Sequence, residues 1–237
     1  MSAMPATGSA DGWSTWRPWQ ERLDLRVREI SDGAAFAAAC AATQAMNPGD
    51  LSKLLTAAGI RHALIGAHAV SMRTRAPRNT SDVDFVVDDP AAAAAAICAA
   101  HPGLVPASLG PTIGVTLLRD GEPALGLLLA RHCGRHLVFS ETTMACDVPV
   151  ASVEMLIALK YLAIRSVDGQ GMAARPLRKR SSDYSDILAL IEAHPGFAER
   201  RVWELLARAA NADVAQRWSG DLARIRADKA LNLDIDG

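Results

Sequence analysis

The chain has 237 residues, of which half are hydrophobic and only 5% aromatic, and its formal net charge at pH 7 is −1. This length suits one large domain or two small ones, with a core built mainly of aliphatic side chains. The near-neutral charge excludes a general attraction to nucleic acid or to an anionic membrane, so any phosphate-binding surface must be local.

The cysteine and hydropathy patterns favour a soluble cytoplasmic protein without membrane contact. Four cysteines are scattered along the chain without a CxxC pair, and reduced thiols are the expected state. The apolar stretches fall short of the roughly 20 residues that cross a bilayer. The N-terminus lacks the basic start and apolar run of a signal peptide.

The first 20 residues are predicted to form a flexible arm, because they combine Gly, Ser and Pro with Trp13, Trp16 and Trp19. The three indoles either dock on the domain or a partner, or form a stacking platform. A helix is expected over about 22–45. A second is expected at Leu51–Ala58, capped by Asp50 and ended by Gly59.

From residue 60 the pattern indicates alternating strands and helices. His62–Ile65 is predicted to be a short buried strand and Ala67–Met72 the helix after it. Val83–Val87 is a β-branched and aromatic run, which predicts a second strand, and Pro90 begins an Ala-rich helix that ends near Ala100.

Further strands and then helices are expected beyond residue 110. Ile113–Arg119 and Ala124–Ala130 should pair as a hairpin about Asp120-Gly121-Glu122, and another strand is expected near Leu137–Phe139. An amphipathic helix over Ser152–Val167, a helix over about 182–193 and two or three more should follow. The predicted fold class is α/β (α+β), with a mixed sheet in residues 21–150 and a helical domain in 151–237.

Two carboxylates at the start of the second predicted strand carry the clearest chemical signal. Asp82 and Asp84 are two positions apart, so they project from one strand face, while Val83 and Phe85 point into the core. Two like charges this close are unfavourable without a neutralising cation. Oxygen ligands on a rigid strand suit Mg²⁺, which also binds substrate phosphates.

Gly66 lies where the first predicted strand runs into a helix, so phosphates can approach backbone N–H groups at a helix N-terminus. Each of these features alone is more often structural than functional. Their order along the chain, strand, Gly, helix, loop, and strand with two aspartates, is more specific.

This order resembles the DNA polymerase β superfamily of nucleotidyltransferases, and more closely its abortive-infection and toxin–antitoxin group, the AbiEii-like proteins. That group has G-G-x-A followed by R-x-[ST]-x-D-h-D. Here Gly66-Ala67-His68-Ala69 fits with Ala67 as a departure, and Arg78–Asp84 fits throughout.

The group's second half carries L-x-x-L-K-x-x-A-x-x-x-R and then K-x-x-D-h-x-D-[IL]. The corresponding residues here are Leu156–Arg165 and Arg180–Ile187. The first contains Lys160 but has its Arg two positions earlier than the pattern. The second has Arg in place of Lys and contains Asp183 and Asp186. The resemblance covers roughly residues 50–193.

The resemblance implies roles for particular residues. Asp82, Asp84 and Asp183 would hold Mg²⁺ or Mn²⁺, with Asp183 alternatively the base for the attacking hydroxyl. Lys160, at the border of its helix's apolar stripe, would reach the triphosphate. The expected nucleotide-binding residues are Gly66, Ala67, Arg78, Ser81, Arg165 and Arg180.

Several of these residues have structural alternatives. Lys160 could be an ordinary exposed lysine, and Asp183 could cap a helix. Asp186 is expected to be solvated or to support its neighbours. His68 is expected to pack or cap rather than contact phosphate. The arginines near positions 73–78 and 165–180 either bind phosphates of a nucleotide or an RNA backbone, or are solvated surface residues.

The implied function is transfer of a nucleotidyl group from an NTP to a hydroxyl on RNA, protein or a small molecule, with an antitoxin as a further partner. Two departures leave other functions open. Ala67 replaces a residue that usually serves the phosphates, and Leu125-Gly126-Leu127-Leu128 lacks the third strand carboxylate of many superfamily members. The alternatives are a catalytically degenerate nucleotide-binding or regulatory protein and an antibiotic-modifying nucleotidyltransferase.

Overall fold

The computed structural model describes residues 46–76, 80, 82–110, 113–131, 134–165 and 177–227. Helix α1 spans Pro48–Ala57 and begins earlier than predicted. Asn47, rather than Asp50, is its cap, because the Asn47 side chain accepts a hydrogen bond from the Gly49 N–H at 2.8 Å. Pro48 suits the first helical position, where no N–H partner is needed.

The centre of the molecule is a mixed seven-stranded sheet in the order β3-β4-β5-β2-β1-β7-β6. Its strands are β1 (His62–Ile65), β2 (Val83–Val87), β3 (Leu104–Gly110), β4 (Gly114–Arg119), β5 (Glu122–Leu129), β6 (Thr142–Ala145) and β7 (Val148–Ala151). The predicted mixed α/β fold is confirmed, as are both predicted central strands and the β4–β5 hairpin.

β2 lies in the middle of the sheet, and its neighbours differ in direction. It pairs antiparallel with β1, which places Ile65 opposite Asp84. It pairs parallel with β5, which places Gly126 opposite Asp84. The position of Asp84 is therefore fixed from both sides by backbone ladders.

The strand expected near Leu137–Phe139 was wrong, because Arg135–Ser140 forms a 3₁₀ helix. Gly134 precedes it with φ of +71°, a left-handed conformation that suits glycine and turns the chain out of an extended path. The sequence prediction also missed β3, β6 and β7. Each of these carries a proline or has an exposed side, which weakens the strand pattern.

Helices cover the sheet and continue beyond it. They are α2 (Gly66–Thr74), α3 (Pro90–Ala100), α4 (Val153–Arg165), α5 (Leu177–Ala193), α6 (Glu199–Ala209) and α7 (Ala212–Arg226). α4 packs against α5 and α6, and both α4 and α5 contact α2. One buried apolar cluster runs from the sheet into these helices.

Arg73 fastens α2 to the edge of the sheet. Its guanidinium donates to the carbonyls of Val150 at 2.6 Å and Ala151 at 2.9 Å, and to that of Thr143 at 3.3 Å. Burial lowers the pKa of Arg73, with the charge of Glu154 opposing that shift. Arg73 therefore serves the fold rather than a phosphate.

The predicted arm at 1–20 and the helix expected over 22–45 lie outside the described residues, and the domain boundary near residue 150 stays a prediction. In the part of the chain that the structure describes, the helices are too short or too polar to cross a bilayer.

Candidate functional site

Asp82 directly precedes β2, and Asp84 is the second residue of that strand. Val83 and Phe85 are fully buried, whereas both aspartates are half-buried. The alternation follows from the strand period of two. Two carboxylates therefore face a partly open space above a rigid, central strand.

Thr80 is a site residue that sequence reasoning did not single out. Its hydroxyl donates to Asp82 Oδ1 at 2.6 Å, which orients that carboxylate. The signal was present, because Thr80 occupies the [ST] position of the R-x-[ST]-x-D motif. Arg78 and Ser81, the other residues predicted from this loop, lie outside the described residues.

The Asp84 carboxylate occupies a slot between two glycines. Gly66 has φ of +70°, and a Cβ there would stand 2.5 Å from Asp84 Oδ2. A Cβ on Gly126 would overlap Asp84 Oδ1. Glycine at both positions lets the carboxylate approach the backbone of its two neighbouring strands.

The first turn of α2 lies beside this carboxylate. α2 begins at Gly66, and its cap is Ile65, whose apolar side chain offers no hydrogen-bond acceptor. The first N–H groups of a helix have no partner within the helix, and they carry partial positive charge. Because Ile65 pairs with Asp84 across β1 and β2, this turn and the carboxylates form one site.

His68 is a packed residue of α2 rather than an open ligand. It is 4% exposed. Burial lowers its pKa, and the nearby charge of Asp82 opposes that shift. A buried imidazole agrees with the packing role expected from the sequence.

Lys160 and Asp183 meet, but in an ion cluster that also includes Asp186. The Lys160 ammonium lies 2.8 Å from Asp183 Oδ1 and 2.8 Å from Asp186 Oδ2. All three side chains are at most 14% exposed. Of the two roles expected for Asp186, this burial excludes the solvated one and agrees with the supporting one, and Lys160 is not an ordinary surface lysine.

The three-carboxylate arrangement of Asp82, Asp84 and Asp183 is not formed in the described structure. Among the residues described, no group of three or more His, Cys, Asp or Glu side chains is arranged to hold a metal ion. Asp183 instead contacts the Lys160 ammonium. Ligation by Asp82 and Asp84 stays a prediction.

Arg165 also has a partner within the helices. Its guanidinium lies 2.6 Å from Asp221 Oδ2 of α7, and the Tyr161 hydroxyl donates to the same oxygen at 2.7 Å. Burial first, and then the bond to Asp221, raise the pKa of Tyr161. This contact ties α7 to α4, while the nucleotide role of Arg165 stays a prediction.

Ala67 and Arg180 complete the predicted set. Ala67 is half-buried in the first turn of α2, next to Gly66, and Arg180 is half-buried near the start of α5. Both nucleotide-binding roles stay predictions. The geometry brings together Asp82, Asp84, Gly66 and Ala67, and it adds Thr80 and Gly126.

A comparison with protein-family models found no match, and a comparison with curated proteins found none. Solved structures similar to this chain include an antigenic nucleotidyltransferase-like protein from Paracoccidioides brasiliensis, with 20% identity and a TM-score of 0.48, over 76% of this chain and 87% of that one.

Two others are the Megavirus polyadenylate synthase (10% identity, TM-score 0.44, 82% of this chain and 40% of that one) and the antibiotic-resistance factor ANT(2'')-Ia (14% identity, TM-score 0.44, 75% and 96%). At these identities the likeness is one of fold alone.

Proposed function

We propose that this chain is a Mg²⁺-dependent nucleotidyltransferase of the DNA polymerase β type, which moves a nucleotidyl group from an NTP to a hydroxyl acceptor. One observation carries the proposal. Asp82 and Asp84 lie at the start of the central strand, directly beside the first turn of α2. A carboxylate pair for a cation and a helix N-terminus for phosphates are therefore adjacent.

The donor set fits Mg²⁺ or Mn²⁺. Asp82 and Asp84 offer half-buried carboxylate oxygens on one strand face, and Thr80 fixes the orientation of one of them. When bound, the ion supplies charge neutralisation at the transferring phosphate and alignment for in-line displacement.

The chain's own residues bind and orient the nucleotide. The first turn of α2, from Gly66 and Ala67 onward, would face the phosphates with its backbone N–H groups. Because Gly66 and Gly126 have no Cβ, they leave room for the Asp84 carboxylate beside their backbone. In the proposed transfer the acceptor hydroxyl gives its proton to water, and its oxygen bonds to the α-phosphorus. The bond from that phosphorus to the bridging oxygen breaks, and pyrophosphate leaves.

The ion cluster of Lys160, Asp183 and Asp186 has a supporting place in this proposal. It joins α4 to α5, and both helices pack against α2, the proposed phosphate-binding helix. A contact between Lys160 and the triphosphate stays a prediction. It would require the ammonium to exchange a carboxylate partner for a phosphate.

Two finer assignments rest on the sequence motifs alone. The AbiEii-like resemblance supports a toxin of a toxin–antitoxin pair, and the shared core supports an antibiotic-modifying enzyme. A second candidate function, nucleotide binding without catalysis, is favoured by one observation. Gly126 lies opposite Asp84 on β5, where a third carboxylate would stand in many members of the superfamily.

Nucleotide binding is tested by thermal unfolding of the purified chain with each NTP, with and without Mg²⁺. A ligand at 100 times its Kd adds about 2.7 kcal/mol to the free energy of unfolding. For a chain of this size that corresponds to a rise of several degrees. Labelled NTP with total RNA, lysate protein or antibiotics then identifies the acceptor. No shift with any NTP at millimolar concentration contradicts both candidate functions, whereas a Mg²⁺-dependent shift without a labelled product favours the second.

Gly126→Ala tests the slot around Asp84. A methyl group there collides with Asp84 Oδ1, so the carboxylate must move, and most of the Mg²⁺-dependent thermal shift should disappear. Gly103→Ala is the matched control, because a Cβ there meets nothing within 4 Å. An undiminished Mg²⁺-dependent shift in a folded Gly126→Ala variant would show that Asp84 does not need this position.

A further inference from the structure

A surface pocket between α6 and α7, separate from the aspartate site, has no role in the proposed transfer. Its volume is about 390 Å³, which falls within the range of roughly 300–1,000 Å³ typical of small-ligand sites. Its walls combine two tryptophans, two arginines, an acid and small or aliphatic residues: Glu199, Arg200, Trp203, Trp218, Ser219, Leu222, Ala223 and Arg226.

Two tryptophans line the pocket, and they differ in how far they are exposed to solvent. Trp218 is 1% exposed and packs edge-on against Tyr161, with ring centroids 5.1 Å apart. Trp203 is 38% exposed, although the core residues Val202 and Leu205 on the same helix are fully buried. Trp203 therefore offers an accessible indole next to a fixed one, which suits stacking by a planar ring.

Two arginines at the rim of the pocket can attract an anion. Arg226 pairs with Glu199, and Arg200 pairs with Glu204 at 3.1 Å. The side chains in these pairs are 36–92% exposed. Exposed pairs contribute little to stability, so a phosphate can replace either carboxylate at small cost. A guanidinium group also binds phosphate in a bidentate way, through two parallel N–H···O hydrogen bonds.

Local charge agrees with an anionic ligand. Residues 199–227 contain six arginines against four acids, although the whole chain carries a net charge of −1. This segment therefore carries a net positive charge of two.

We propose that this pocket is a second nucleotide-binding site, which stacks a nucleobase on Trp203 and binds its phosphate through Arg200 and Arg226. The same chemistry is presented by a free nucleoside monophosphate and by an unpaired nucleotide in a single strand. The site does not use Asp82 or Asp84, and it needs no divalent cation. Its wall is joined to α4 through Trp218 and through Asp221, which bonds Tyr161 and Arg165.

The test is calorimetric titration of the full chain in EDTA with AMP, with single-stranded oligoadenylate and with ribose 5-phosphate. Binding is expected for AMP or the oligomer, and ribose 5-phosphate should bind at least about tenfold more weakly because it lacks a base. Stronger binding of AMP identifies a free nucleotide as the ligand, and stronger binding of the oligomer identifies a single strand.

Variants locate the binding. Trp203→Ala should weaken it about tenfold, and Arg200→Ala/Arg226→Ala should weaken it and flatten its salt dependence. Arg208→Ala and Arg217→Ala, which are exposed on the same helices outside the pocket, should leave it unchanged. Circular dichroism checks that each variant is folded.

The proposal is overturned if neither AMP nor the oligomer binds, or if folded Trp203→Ala binds as tightly as wild type. It is also overturned if Asp82→Asn/Asp84→Asn removes the binding, since the ligand would then occupy the aspartate site. Failure here leaves Mg²⁺-dependent NTP binding intact, whereas failure of the proposed transferase function leaves EDTA-resistant binding intact.

Discussion

Asp84→Asn is expected to lower the rate of nucleotidyl transfer by at least about a hundredfold. The amide keeps the shape of the side chain but removes the charge that would hold the cation, and loss of such an electrostatic contact costs on the order of 3 kcal/mol in the barrier. Asp82→Asn should act in the same direction, and it also leaves Thr80 facing a neutral acceptor. The measurement is incorporation of labelled NTP into the acceptor identified with wild-type protein.

The folded state should tolerate both changes. Asp82 and Asp84 are half-buried like charges, so removing one charge relieves repulsion, and this offsets the weaker attraction to the first turn of α2. Unfolding temperatures without Mg²⁺ should therefore stay close to that of wild type. Asp120→Asn, in the exposed β4–β5 turn, is the matched control and should keep full activity. Wild-type transfer rates in Asp84→Asn would mean that this pair does not carry the chemistry.

The central part of the fold could be predicted because its sequence pattern is local. β2 has the bounds predicted from its apolar and β-branched run, and the alternation of Asp84 with Val83 and Phe85 follows from the strand period. Gly66 could be recognised from its place at a strand-to-helix junction. Its contact with Asp84, however, depends on the pairing of β1 with β2.

The remaining elements depend on partners distant in the chain. β7 has four residues and contains a proline, and its pairing with β1 through Val150 and Leu64 cannot be seen in its own sequence. Gly126 could be noted as a missing acid. Only the β2–β5 register shows that it lies against Asp84 and leaves room for that carboxylate.

The ion cluster is a similar case. A motif indicates that Lys160 and Asp183 matter, but it does not say that they contact each other. The packing of α4 on α5 places both Asp183 and Asp186 against the Lys160 ammonium. The sequence alone therefore predicts a lysine that extends toward the triphosphate, whereas the structure shows a lysine paired with two buried carboxylates.

Because of these partners, Lys160→Ala is expected to destabilise the fold rather than leave its stability unchanged. An exposed lysine could be truncated with a change of about 0.5 kcal/mol or less. Here the truncation leaves Asp183 and Asp186, whose side chains are 5% and 4% exposed, without their shared cation. Breaking a buried ion pair by removing one partner typically costs about 3–5 kcal/mol. The unfolding temperature should therefore fall by roughly 10 °C.

Compensating substitutions separate the charge from the volume of the side chain. Lys160→Met should be nearly as unstable as Lys160→Ala, because it restores the apolar stem but not the charge. Adding Asp183→Asn and Asp186→Asn to Lys160→Met should recover most of the loss, since the two buried carboxylate charges that Lys160 neutralises are then absent as well. Lys53→Ala, whose side chain is 77% exposed, is the control and should melt with wild type. If Lys160→Ala also melted within about 2 °C of wild type, the cluster would not stabilise the fold.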